Sequence, residues 1–208
     1  MTGGAGADTL DLSGWLHPDI AWLVDLDAEF YELAPNDYEE HGIYTLFNVE
    51  NVIGSNLNDD ITGDSGDNIL NGGLGDDMLV GGEGSDILKG AKGNDILIGG
   101  TGRDVLEGGK GDDILEGGKG KDTLEGGKGA DTFVFSADQG KNVVKDFKDG
   151  VDLIDLSAFG FADEEAALSH FEERGSSSNG VAGFKFNGTE IKIKGLDLDD
   201  ISGADILI

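Results

Sequence analysis

The feature that most constrains this chain is a nine-residue repeat. Nine nonapeptides run without a gap from Gly54 to Val134. Position 1 is glycine in all nine, and position 4 is glycine in all but one, where Leu57 stands. Position 6 is aspartate except at Asn68, and position 8 is Ile61, Leu70, Leu79, Leu88, Leu97, Leu106, Leu115, Leu124 and Phe133. A tenth copy, Gly3 to Asp11, stands apart near the N-terminus. A flexible glycine linker has no reason to hold one large apolar residue at a fixed phase. The pattern predicts a strand of about three residues followed by a turn of about six, with position 8 pointing inward and positions 7 and 9 outward. Glycine supplies turn dihedrals closed to other residues. Two nonapeptides close one coil of a solenoid, so each side repeats every 18 residues.

That period stacks the acids into two columns. One holds Asp59, Asp77, Asp95, Asp113 and Asp131; the other holds Asn68, Asp86, Asp104 and Asp122. Neighbours in a column stand about one strand spacing apart, roughly 4.8 Å. The chain as a whole has 43 acids against 14 bases and a formal net charge of -29. Repulsion of that size opposes compaction unless something positive binds, and it argues against nucleic acid as a partner. Calcium answers the need, because it takes about six to eight hard oxygen ligands from carboxylates and carbonyls. Magnesium fits less well, since it demands strict octahedral geometry. Zinc lacks its ligands: there is no cysteine, and His17, His41 and His170 all lie outside the array.

The pattern G-G-x-G-x-D-x-U-x resembles the calcium-binding repeat of RTX proteins. The resemblance implies an all-β parallel β-roll with calcium between turns on the same side. The residues that match directly are Asp77, Asp86, Asp95, Asp104, Asp113, Asp122 and Asp131, with Asp59 at the edge. The matching turn glycines are Gly73, Gly75, Gly82, Gly84, Gly100, Gly102, Gly109, Gly111, Gly118 and Gly120. Adjacent same-side pairs give about seven sites, by one ion per gap between stacked turns. Asn68 weakens the site it shares with Asp86, and Leu57, Ser55 and Asp64 break the motif in the first coil, where degenerate edge sites are expected. A core one residue wide buries too little to offset the ordering of so much glycine. The array is therefore expected to be unfolded or molten without metal and folded with it.

The flanks divide the chain into an N-terminal repeat and capping segment (1–53), the roll (54–134) and a C-terminal segment (135–208). GGAGADTLDLSG and NVENVIGS before the repeats, and VVKDFKDGVDLIDLSAFGF after them, resemble the segments flanking the β-roll of serralysin-type exoproteins. Leu23, Val24 and Leu26 read as strand, as does Thr45 to Ile53. Trp15, Trp22, Phe30, Tyr31, Tyr38, Tyr44 and Phe47 suit a cap over the first coil, or a binding surface. Asp149, Asp152 and Asp155 are candidates for one further calcium site, against a solvated acidic turn. Residues 163–174 read as a short helix capped by Asp163 and stopped by Gly175. Asn187-Gly188 between alternating segments predicts a hairpin. Asp205, Ile206, Leu207 and Ile208, an acid followed by three apolar residues at the C-terminus, resemble the uncleaved signal of type I-exported proteases. Residues 1–20 lack a Sec-type signal pattern, and no apolar run reaches membrane-span length. A secreted, extracellular protein handled by type I secretion machinery is expected.

No enzyme is expected in this sequence. The zinc-protease motif H-E-x-x-H is absent, and so is the lipase elbow G-x-S-x-G. A repeat directly after Met1 suits a longer parent whose catalytic domain precedes this segment. The main rivals are an adhesin tail and a glycan-recognition module like the R-modules of secreted alginate epimerases. Lys92, Lys110 and Lys128 recur at position 3 every 18 residues and should form a ladder that a polyanionic sugar could follow. The plainer account is local charge compensation. Position 7 carries Met78, Ile96 and Ile114 on one face, joined by Val80 and Ile98, and Ile69, Ile87 and Val105 on the other. Strand propensity explains these; docking to a cap, a parent domain or a second copy is the alternative.

Overall fold

The computed structural model describes residues 9–11, 21–25, 41–45, 50–173, 181–196 and 201–208. Strands follow the repeat: β1 (Thr9–Asp11), β2 (Ala21–Asp25), β3 (His41–Thr45), β4 (Asn51–Ile53), β5 (Asp60–Thr62), β6 (Ile69–Leu74), β7 (Met78–Gly84), β8 (Ile87–Lys92), β9 (Ile96–Gly102), β10 (Val105–Lys110), β11 (Ile114–Gly120), β12 (Thr123–Lys128) and β13 (Thr132–Val134). Beyond the array lie β14 (Gly140–Val144), β15 (Leu153–Asp155), the helix α1 (Glu164–Leu168), β16 (Phe171–Glu173), β17 (Val181–Phe186), β18 (Thr189–Lys194) and β19 (Ile206–Leu207).

Strands two apart pair in parallel, which makes the chain a two-faced β-solenoid. One face stacks β1–β4–β6–β8–β10–β12–β14–β18. The other stacks β3–β2–β5–β7–β9–β11–β13–β15–β19. Register is 18 residues throughout the array, so Leu70 sits over Leu88 and Leu79 over Leu97. The separated N-terminal copy joins the same stack, with Leu10 opposite Val52 and Val52 opposite Leu70.

The alternation is as the repeat demands. Every position-8 side chain from Ile61 to Phe133 is fully buried. Ile69, Met78, Ile96 and Ile114 at position 7 are exposed by 38–45%. The interior column continues past the array through Val144 and Ile154 to Ile193 and Ile206. β5 and β13 have the expected three residues, but β6 to β12 run to six or seven, because there the turn backbones also pair in register, as Gly82 does with Gly100.

The C-terminal segment closes this column. Asp163 caps α1, its side chain accepting from the Ala166 N–H at 2.8 Å. The helix ends at Leu168, short of the expected residue 174. Phe171 instead begins a strand antiparallel to β17 and packs against the Phe184 ring at 5.2 Å. Tertiary pairing here overrides helical propensity. The β17–β18 hairpin turns at Asn187-Gly188, both at positive φ, as expected of that dipeptide. Phe159, Phe161, Phe184, Phe186 and His170 form an aromatic cluster beside it. β2 holds Leu23 and Val24 as expected, while the strand read over Thr45 to Ile53 is met by the end of β3 at Thr45 and by β4; Leu26 and residues 46–49 lie outside the described residues, and the rest of β3 was not anticipated. Trp15, Phe30, Tyr31, Tyr38 and Phe47 lie outside the described residues, as do the side chains of Trp22 and Tyr44.

Candidate metal centre

The turns between strands carry the site. From Asp77 onward, each position-6 aspartate is directed into the turn stack by a bond to the coil before it. Asp77 Oδ1 accepts from the Asp59 N–H at 2.8 Å, Asp95 from Asp77 at 2.8 Å, Asp113 from Asp95 at 2.8 Å, and Asp131 from Asp113 at 3.1 Å. The second column repeats this from Asp86 to Asn68, Asp104 to Asp86, and Asp122 to Asp104, at 2.8–3.0 Å. Both predicted columns are therefore present as continuous side chain-to-backbone ladders.

The second oxygen decides the chemistry. Oδ2 of Asp77, Asp86, Asp95, Asp104, Asp113, Asp122 and Asp131 is buried and has no hydrogen-bond partner. A buried carboxylate oxygen left unpaired is costly. Room for it comes from position 1: a Cβ on Gly99 would lie 2.7 Å from Asp104 Oδ2, and one on Gly117 2.9 Å from Asp122 Oδ2. The position-1 carbonyl of the next coil shares that space: the same Cβ on Gly99 would lie 2.6 Å from the Gly117 carbonyl. Gly100 and Gly102 adopt φ of 106° and 149°, and a side chain on either would collide with the Gly82 or Gly84 carbonyl below.

Electrostatics follow from burial. Burial pushes the Asp77 carboxyl up to about 8; the Asp59 N–H opposes this, while Asp95, Asp59 and Asp76 add to it. Asp86 and Asp95 rise to about 6, and Asp113 and Asp122 to about 7, with burial the leading cause in each. Asp104, Asp131 and Asp152 also rise, chiefly through burial. Such groups favour a proton or a cation. Among the described residues no point is approached by three or more His or acidic side chains. A cation held here would take one or a few carboxylate oxygens and complete its shell from backbone carbonyls, which is the donor set of calcium and not of zinc.

The edges differ from the middle. Asp59 is already occupied: its Oδ2 accepts from the Ser55 N–H at 2.6 Å and from the Ser55 hydroxyl at 3.0 Å. Serine in place of the position-2 glycine thus closes on the acid of its own turn. Asn68 accepts from the Asp64 N–H at 2.9 Å in the same way. Asp149, Asp152 and Asp155 do not converge. Asp152 continues the first column, accepting from the Asp131 N–H at 3.1 Å and the Lys148 N–H at 2.8 Å. Asp155 accepts from the Ser157 N–H at 2.8 Å. Asp205 is buried and accepts from the Ser202 hydroxyl at 2.7 Å, the Ser202 N–H at 2.9 Å and the Gly150 N–H at 3.1 Å, which hold its pKa below the usual carboxylate range despite burial. Ile206 packs inward and Leu207 and Ile208 are exposed. Lys92, Lys110 and Lys128 are exposed and in register, continuing from Leu74.

Two features escaped sequence reasoning. Asn142 continues the second column, its Oδ1 accepting from the Asp122 N–H at 3.1 Å. The signal was there: Asn142-x-Val144 and Asp152-x-Ile154 keep the spacing of positions 6 and 8, displaced by short insertions. A second ladder runs along position 5 of one side. Asn58, Asp76, Asn94 and Asp112 accept from the N–H of Asp76, Asn94, Asp112 and Ala130, at 2.8–2.9 Å.

Residues 1–14 and a continuous series of overlapping matches over 53–139 fit the family model of the RTX calcium-binding nonapeptide repeat. This chain carries RTX repeats. RTX nonapeptide repeats bind calcium, and the ladders are their turns. Among solved structures, the chain is similar to the extracellular lipase LipA of Serratia marcescens, at 18% identity and a TM-score of 0.46, covering 76% of this chain and 39% of the lipase. It is also similar to the AlgE6R3 subunit of the Azotobacter vinelandii mannuronan C5-epimerase, at 24% identity and a TM-score of 0.33, covering 74% and 80%. No curated protein matches the chain. No helix among the described residues is long and apolar enough to cross a membrane.

Proposed function

We propose that this chain is a calcium-binding RTX module that folds on binding extracellular calcium and supports type I secretion and folding of a secreted bacterial protein. The observation that carries the reading is the set of buried, unpartnered Oδ2 atoms, one in each of the repeats from Asp77 to Asp131. Each leaves a negative oxygen facing carbonyl-lined space, and the chain's net charge of -29 deepens the need for cations. Asp77, Asp86, Asp95, Asp104, Asp113, Asp122 and Asp131 would hold the ions, with carbonyls of the glycine turns completing the shells. Calcium supplies positive charge and bridges successive coils, so binding energy becomes folding energy. The module is a binding element rather than an enzyme, divided into capping segment, roll and C-terminal segment as the sequence suggests. Low cytosolic calcium would keep the chain unfolded for export, with Asp205, Ile206, Leu207 and Ile208 as the signal.

Far-UV circular dichroism during a calcium titration, starting in chelator, tests the folding step. A cooperative gain of β-signal is expected; a roll fully folded in chelator overturns it. Deletion of residues 205–208 tests export separately, with intracellular accumulation expected in a host carrying type I machinery. A second reading, recognition of a polyanionic glycan, is favoured by the exposed register of Lys92, Lys110 and Lys128. Glycan affinity unchanged in Lys110→Glu removes that ladder from consideration.

A further inference from the structure

Both columns of acids must end, and the first ends on a lysine. The last repeat turn, Gly126 to Asp131, has no further repeat above it. Within the array the position-1 N–H of such a turn donates to a carbonyl of the next coil, as Gly54 does to Asn71 and Gly63 to Val80, both at 2.7 Å. At the last turn the Asp146 carboxylate replaces that coil, accepting from the Gly126 and Gly127 N–H groups at 3.0 and 2.9 Å. The Gly127 carbonyl takes the Lys148 ammonium. Within the array a position-2 carbonyl instead faces the next turn: a Cβ on Gly109 would stand 2.5 Å from the Ala91 carbonyl.

The same step holds an unspent acid. Asp131 is buried and its Oδ2 has no hydrogen-bond partner. Asp152 above it is used on both oxygens, by the N–H groups of Asp131 and Lys148. The Lys148 charge counters the effect of burial on both Asp131 and Asp152, so it is electrostatically close to each. The geometry points to the Lys148 ammonium as the resident cation of this terminal step, standing where each earlier step of the column offers a place to calcium. The metal column then stops between Asp113 and Asp131, and the coil above is tied down without an ion.

The second column closes by different means. Asn142 spends its Oδ1 on the Asp122 N–H, and its buried Nδ2 has no partner. An amide nitrogen thus stands where the aspartates below present an oxygen, and a donor does not ligate a cation. An ammonium on one side and an amide on the other each end the series.

This inference rests on the calcium reading, and native mass spectrometry of the full chain at saturating calcium separates the two. Lys148→Met should hold one ion more than the wild type, because the Gly127 carbonyl is freed and the charge of Asp131 is left without its neighbouring ammonium. Lys148→Arg, which keeps the charge, should hold the wild-type number. A folded Lys148→Met with the wild-type count overturns the inference and leaves the calcium reading intact. A wild type that holds no calcium overturns both. If Lys148→Met does not fold while Lys148→Arg folds with the wild-type count, the charge is required and the inference stands. If neither folds, the side chain matters for its packing and the inference falls.

Discussion

Replacing Asp113 by asparagine should stabilise the metal-free roll and weaken the calcium-loaded one. Asp113 Oδ1 accepts from the buried Asp95 N–H at 2.8 Å, and its Oδ2 has no partner. Asparagine keeps the size and the Oδ1 acceptor, removes the charge, and sets an amide nitrogen where Oδ2 stood. Alanine removes the acceptor as well, leaving a buried N–H at a cost of about 1–3 kcal/mol in either state. Without metal the carboxyl is pushed up to about 7 by burial, so ionising it opposes folding, and asparagine is free of that opposition above neutrality. With calcium the order reverses. One ion held at about a hundred times its dissociation constant contributes roughly 2.7 kcal/mol, so losing it should lower Tm by on the order of 5–10 °C in a chain of this size. Thermal melts at pH 8 in saturating calcium, paired with osmolyte-driven folding in chelator, read both halves. An asparagine variant that is weaker than wild type in chelator as well would refute the argument, because Oδ2 would then be stabilising without any cation.

Five further outcomes follow from the same geometry. The pKa values of Asp77, Asp86, Asp95, Asp113 and Asp122 are raised, so the metal-free fold binds more protons than the unfolded chain between about pH 4 and 8. Metal-free stability should therefore fall as pH rises through that window. The calcium midpoint should move to higher concentration as pH drops from 8 to 6, and circular dichroism at several pH values checks both signs. Ala91 sits at φ 77°, where its repeat neighbours use glycine, so Ala91→Gly should stabilise the loaded roll by up to about 1 kcal/mol in a denaturant melt. Gly102→Ala should prevent folding even in saturating calcium, because its Cβ would meet the Gly84 carbonyl. Leu97→Ala, in a column one side chain wide, should cost about 2–5 kcal/mol by the same melts.

The solenoid was legible because one period sets both the core and the turns. Position 8 is invariantly apolar and position 1 invariantly glycine, so strand direction, register and the two acidic columns could be placed from spacing alone. The C-terminal segment was less legible, since its coils are 20 and 21 residues long rather than 18. That hid Asn142 and Asp152 as members of the columns, although both keep the phase to the next buried residue. The helix was overextended because its acids and alanines favour helix locally, while Phe171 is fixed by Phe184 across a strand pair that no local signal records. The position-5 ladder went unread because its residues vary, Asn58, Asp76, Asn94 and Asp112 sharing only an Oδ1 three bonds from Cα.

The two columns should not depend on metal equally. The first runs Asp59, Asp77, Asp95, Asp113, Asp131 and Asp152; the second is Asp86, Asp104 and Asp122 between the amides Asn68 and Asn142. The first side also has the position-5 ladder, whose bonds each contribute about 0.5–1.5 kcal/mol at most. Two ionised carboxylates one strand spacing apart repel by roughly 3–4 kcal/mol at an effective dielectric of 20. Repulsion therefore outweighs the extra bonds, and the first column should be the one that fails without calcium. Asp77 is pushed up to about 8, by burial first and then by the charges of Asp95, Asp59 and Asp76. Neutralising Asp95 and Asp113 together should reduce the trimethylamine oxide needed to fold the metal-free chain at pH 8 more than neutralising Asp86 and Asp104 does. An equal or reversed requirement would mean that the position-5 ladder, and not charge, sets the balance between the two sides.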